Sequence, residues 1–116
     1  MRKYGIIIQF GLLAVGMVGC SADLDCQSTC NRLYQTEECG IASPGSTQSE
    51  LLDLCNNSCD AALDIPGEVG DYDPNEYTPA SVSIDLENDK QAALWMECVS
   101  VTACELLDEG YCAPVW

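Results

Sequence analysis

Nine cysteines and nineteen carboxylates dominate the reactive side chains of this 116-residue chain, which contains no histidine. Cysteines can ligate a metal, exchange electrons or form structural bridges. Zinc sites favour two-residue gaps and often recruit histidine, whereas Cys26/Cys30 and Cys55/Cys59 are matched pairs with three residues between them. Thioredoxin-like redox centres use Cys-x-x-Cys beside a βαβ unit, and that spacing does not occur. Structural disulfides are the chemistry that remains, so no metal and no cofactor are expected. Serine and cysteine triads would lack their usual base, and no Gly-x-Ser-x-Gly motif is present. Nothing in the spacing of the carboxylates selects an acid and base pair over a solvated acidic surface. The chain is therefore expected not to be an enzyme.

The elements that must position these sulfurs follow from the three-residue gap. It places both cysteines of a pair on one helix face, about one turn apart. Two such helices laid antiparallel can be stapled twice, Cys26 to Cys59 and Cys30 to Cys55. The expected fold is all-α, a disulfide-stapled antiparallel helical hairpin built on the twin Cys-x3-Cys pairs, with a third helix and a short C-terminal helix. The first helix is expected from about Leu24, capped by Asp23, to a stop at Gly40. That extent puts Glu37 and Glu38 in its last turn, against the helix dipole. A turn at Ile41 to Ser46 leads to a second helix opened by the capping-box pair Thr47 and Glu50 and closed before Pro66.

The third helix is expected from Leu86 to Ser100, capped by Asp85, with Leu94, Trp95, Cys98 and Val101 facing the hairpin. Thr102 and Glu105 form a second capping-box pair for a short helix that ends at Gly110. Cys39, Cys98, Cys104 and Cys112 are left without assigned partners. Cys39 to Cys112 with Cys98 to Cys104, or Cys39 to Cys98 with Cys104 to Cys112, would each tie the third helix down, and the spacing does not choose.

The ninth cysteine closes a different kind of segment. Arg2 and Lys3 precede an apolar stretch from Ile6 to Val18 and the small residue Gly19, the pattern of a secretory signal peptide over residues 1–19. Its end, Met17-Val18-Gly19-Cys20, resembles the lipobox of bacterial lipoproteins. The resemblance implies cleavage before Cys20, acylation of that residue with palmitate-type chains, and a lipidated tether of residues 20–22. Two or more acyl chains suffice for stable anchoring. Ser21 after the acylated cysteine implies sorting to the outer membrane. The cysteine-rich domain would then be residues 23–116.

Cleavage leaves Arg32 and Lys90 against all 19 acids, a net charge of 2 − 19 = −17. Such a field repels phosphate backbones and attracts cations or basic partners. Nucleic acid is excluded as a partner, and membrane contact must come through the lipid.

The order Cys-x3-Cys, Cys-Gly, Cys-x3-Cys and a Trp-bearing helix followed by more cysteines resembles the small cysteine-rich lipoproteins of some predatory and soil bacteria. What this implies is a scaffold rather than an activity. The hairpin alone also resembles the twin Cys-x3-Cys small chaperones of the mitochondrial intermembrane space, although here 24 residues separate the pairs.

Residues 64–84 carry three prolines, five acids and no base. A loop of this length is either a disordered spacer or a recognition surface, and Asp71, Tyr72, Asp73 and Tyr77 are its candidate binding residues. Asp71, Asp73 and Asn75 mimic half of a calcium loop, but Pro74, Glu76 and Val82 break the pattern, which leaves only diffuse attraction of cations. The expected function is a lipid-anchored, disulfide-stabilised cell-envelope module with a non-catalytic binding or structural role at the outer membrane. The alternative is a periplasmic chaperone or enzyme accessory that presents an apolar groove between the hairpin and the third helix.

Overall fold

The computed structural model describes residues 24–79 and 81–116. The signal segment 1–19, Cys20, the tether 20–22 and Asp23 lie outside the described residues. The described residues form four helices, α1 (Cys26–Tyr34), α2 (Gln48–Leu63), α3 (Asp89–Val101) and α4 (Cys104–Glu109), joined by loops without strands.

α1 and α2 form the stapled hairpin. Cys26 pairs with Cys59 and Cys30 with Cys55, a ladder of two bridges whose constant sum of residue numbers is the register of an antiparallel pair. All four cysteines are buried, together with Leu33, Tyr34 and Leu51. α3 lies across both helices and buries Trp95, Met96 and Val99 in the same cluster. Val101, expected on this face, is 79% exposed. The buried set is instead Gln91, Ala92, Trp95, Met96, Cys98 and Val99, which follows the helical period with Trp95 at its centre.

The remaining bridges are Cys39–Cys104 and Cys98–Cys112, which is neither of the two arrangements the spacing suggested. Cys39 is drawn away from α1 toward α4, so α1 ends at Tyr34 rather than at Gly40. Gln35 is extended, the Cys39 amide donates to the Arg32 carbonyl at 2.9 Å and the Ile41 amide to the Leu33 carbonyl at 2.8 Å. Gly40, at φ +58°, makes that return possible. Glu37 and Glu38 consequently lie beyond the helix, exposed, and the expected conflict with its dipole does not arise.

The helix starts show which local signals survive packing. Thr47 and Glu50 form the capping box of α2, with reciprocal bonds of 3.1 and 2.8 Å. α1 is capped by Asp25, whose carboxylate accepts from the Ser28 amide at 2.7 Å. α3 is capped by Asn88 and not by Asp85. The Asn88 side-chain oxygen accepts from the Lys90 and Gln91 amides, while its nitrogen donates to the Glu68 carbonyl at 2.8 Å. A carboxylate could not make that donation. The expected Thr102–Glu105 box is not formed: the N-cap of α4 is Ala103, and the Thr102 hydroxyl lies 3.3 Å from Cys112 Sγ against the Cys98–Cys112 bridge.

Arg32 joins α1 to the end of α3. Its Nε donates to the Val99 carbonyl at 2.8 Å and a terminal nitrogen to the Thr102 carbonyl at 2.7 Å. These are among the carbonyls a helix leaves unpaired at its C-terminus, where a cation is also favoured by the dipole.

The four bridges should not be equal in effect. Cys30–Cys55 is nested inside the loop already closed by Cys26–Cys59, so its own closure spans only about 8 residues and is worth roughly 2.5 kcal/mol, against roughly 4 kcal/mol for the 65-residue separation of Cys39–Cys104. Urea unfolding of the paired variants C30A/C55A and C39A/C104A should therefore show the larger loss for C39A/C104A. Equal midpoints, or the reverse order, would contradict this account.

Candidate functional site

A groove of 450 Å³ opens at the turn end of the hairpin, bounded by residues 41–44, Thr78, Pro79 and residues 82–85, the end of α4 from Leu107 to Gly110, and the closing segment 113–116. Three regions far apart in sequence meet there. The hairpin turn is set by the return of the chain through Gly40 and by Gln48, whose side-chain nitrogen donates to the Tyr34 carbonyl at 2.8 Å.

The closing segment is held by the polar tips of three aromatic residues from three different elements. Tyr72 donates its hydroxyl to the Ala113 carbonyl at 2.6 Å, Trp95 its indole N–H to the Pro114 carbonyl at 2.9 Å. The Tyr34 hydroxyl donates to the Trp116 carbonyl at 3.0 Å and accepts from the Trp116 amide at 2.6 Å. Trp116 sets its ring edge-on to Trp95, with centroids 5.8 Å apart. Burial pushes the Tyr34 and Tyr72 hydroxyls well above the usual phenol range, and the neighbouring Asp73 charge adds to the shift of Tyr72.

The second wall is carried by the long acidic loop, which is packed rather than a disordered spacer. Asn88 and Gln91 hold its first part through the Glu68 and Val69 carbonyls. The Cys112 amide donates to the Pro74 carbonyl at 2.7 Å, and the Thr78 amide to the Gly110 carbonyl at 3.0 Å. This last approach is close: a Cβ on Gly110 would clash with the Thr78 carbonyl oxygen, and its φ of +131° suits only glycine. Tyr77 packs against Tyr111, centroids 5.8 Å apart, and remains 56% exposed.

The candidate binding residues of the loop do not converge. Tyr72 points inward and holds the closing segment. Asp73 accepts from the Asn75 amide at 3.0 Å in a local turn, Asp71 is exposed, and neither these nor Tyr77 line the groove. The residues that do line it here, Thr78, Pro79 and Val82 to Asp85, carry no binding motif. Nor is the groove located between the hairpin and the third helix, because that interface is filled by Trp95, Met96, Val99 and the bridges.

Three acids, Asp85, Asp108 and Glu109, contribute the charged side chains of the lining, among apolar ones from Ile41, Val82, Ile84, Val115 and Trp116. Arg32 and Lys90 are not part of it. Such a lining can accept hydrogen bonds and shelter an apolar group. Among the described residues no cluster of three or more histidine, cysteine or acidic side chains is placed to hold a metal ion. A second depression beside Asp25, Cys26 and Asp60 is shallow, and Asp25 is already engaged as the cap of α1. That hydrogen bond to the Ser28 amide holds the Asp25 carboxyl below its ordinary value.

Comparison of the chain with protein-family models, with curated proteins and with solved structures found no significant match.

Two outcomes test this construction. Gly110→Ala should displace residues 78–85 and cost about 1–3 kcal/mol, the range for overpacking a filled contact, read by urea unfolding and by loss of the Thr78 amide's protection from exchange. For Tyr34 and Tyr72 the folded hydroxyl ionises above the unfolded value of about 10. Their contribution is complete below that pH and is lost as pH rises beyond it. Tyr34→Phe and Tyr72→Phe should each cost about 1 kcal/mol at neutral pH, yet unfold less steeply with pH above about 10 than the parent chain. Parallel pH profiles would remove these hydroxyls from the account.

Proposed function

We propose that this chain is a lipid-anchored, disulfide-stapled module of the bacterial cell envelope that acts by non-covalent contact at the outer membrane. The observation that carries this reading is the cysteine arithmetic. Of nine cysteines, the eight from Cys26 to Cys112 pair with one another. Cys20 is the one their pairing does not use, and it is the residue at which the lipobox-like stretch ends. Four bridges fit an oxidising compartment. Among the described residues no helix is long and apolar enough to cross a membrane; in this reading the anchor is the acylated Cys20.

A non-catalytic role belongs to the same reading. Six side chains with buried polar atoms are engaged in holding the domain together: Tyr34, Tyr72 and Trp95 on the closing segment, Arg32 on the end of α3, Asn88 and Gln91 on the loop. What remains on the surface is dominated by carboxylates, which suits recognition of a basic partner and disfavours nucleic acid.

Intact mass spectrometry of the protein from its native membrane tests the reading. The expected species is residues 20–116 with the added mass of a diacylglyceryl group and an amide-linked acyl chain, and with eight cysteines alkylated only after reduction. Cys20→Ser should abolish the acyl mass and release the protein from the membrane fraction. A chain that retains residues 1–19, or lacks acyl mass, would overturn the anchor.

A further inference from the structure

We propose that the groove at the turn end of the hairpin docks an extended segment of a partner protein in which an apolar side chain is flanked by lysine or arginine. The proposal deepens the reading of the chain as a binding module and rests on that part of it, not on lipidation.

Size, lining and charge each restrict the occupant. A volume of 450 Å³ falls within the range of ordinary ligand sites, and the groove is open along one side, which suits a chain passing through better than an enclosed small molecule. Ile41, Ile84, Val115 and Trp116 supply apolar surface for one side chain. Every charged residue of the lining is acidic: Asp85, Asp108 and Glu109. All three are exposed, so each can pair with a mobile basic side chain at the rim while the apolar group enters between them. Neither cation of the domain competes, because Arg32 is bonded to the carbonyls that end α3 and Lys90 is outside the lining. A second copy of this chain, at −15, is repelled by the same field that attracts a basic segment.

The groove lies beside the connection between α1 and α2, roughly 16 Å along α2 from the Cys26–Cys59 staple. Rim charges contribute more to speed and selectivity of encounter than to affinity, so the contact is a selective and salt-sensitive one.

The full chain in neutral detergent micelles, isotopically labelled, would be titrated with the capped pentapeptide Gly-Lys-Ile-Lys-Gly and followed by amide chemical shifts. The expected result is a set of shifts confined to residues 41–44, 78–79, 82–85 and 107–116. Replacing both lysines of the peptide by glutamate, or its isoleucine by glycine, should weaken binding at least tenfold. The variant D85N/D108N/E109Q should lose at least fivefold in affinity, while D53N/D60N/D64N, the same charge change on α2 and its C-cap, stays within twofold of the parent. Equal losses in the two triple variants, shifts spread along α2, or undiminished binding of the glycine peptide would reduce the effect to diffuse charge attraction and overturn the docking site. Any of those results leaves the anchor untouched, since that is decided by the mass of the acylated chain.

Discussion

The double bridge between α1 and α2 is the constraint on which the remainder of the fold depends. Two covalent links one helical turn apart fix both the register and the rotation of the helices, where a single bridge would leave a pivot. With that face set, Leu33, Tyr34 and Leu51 are committed to one side, and α3 has a defined surface on which to lay Trp95, Met96 and Val99. The need for such links follows from size and charge. A described domain of fewer than 100 residues buries a modest core, and 19 acids against two bases in the segment after residue 19 oppose compaction. Covalent closure raises the free energy of the unfolded chain and offsets both.

On this frame the long loop and the closing segment are organised by directed polar contacts more than by apolar area. Tyr34, Tyr72 and Trp95 each bury a ring and extend one polar atom to a main-chain group of residues 113–116. The arrangement satisfies carbonyls that would otherwise be desolvated without partners, and it places Trp116 at the edge of the groove. Asn88 performs the same kind of double task at the head of α3, capping the helix with its oxygen and holding the loop with its nitrogen. The loop is ordered because the helices reach out to its main chain.

Local periodicity made part of this visible in the sequence. The Cys-x3-Cys pairs and the Thr47–Glu50 box state their structure within one or two helical turns, and the hairpin follows from them. The partners of Cys39, Cys98, Cys104 and Cys112 depended on the path by which the chain returns after leaving α1 and α3, and nothing within a turn of those residues encodes it. Asp85 and Thr102 had good capping credentials but lost to Asn88 and Ala103, because the first lacks a donor and the second faces a disulfide. Tyr72 was legible as an aromatic in an acidic loop, and only its inward orientation separates a structural residue from a recognition one. The groove is not encoded locally, for the same reason as the last two bridges: its walls come from segments with no shared motif.

The four bridges overlap along the chain in a way that bears on its fate after damage. Cys26–Cys59 spans the first half, Cys39–Cys104 begins inside that span and runs into the last helix, and Cys98–Cys112 begins before Cys104 and continues to the closing segment. Every peptide bond between Cys26 and Cys112 is thus enclosed by at least one disulfide. A single cut by a protease anywhere in that interval, including the exposed stretch around Val82, opens the backbone without releasing a fragment. The molecule remains one covalent object after such a nick, and loses a piece only when a second cleavage or a reductant acts as well.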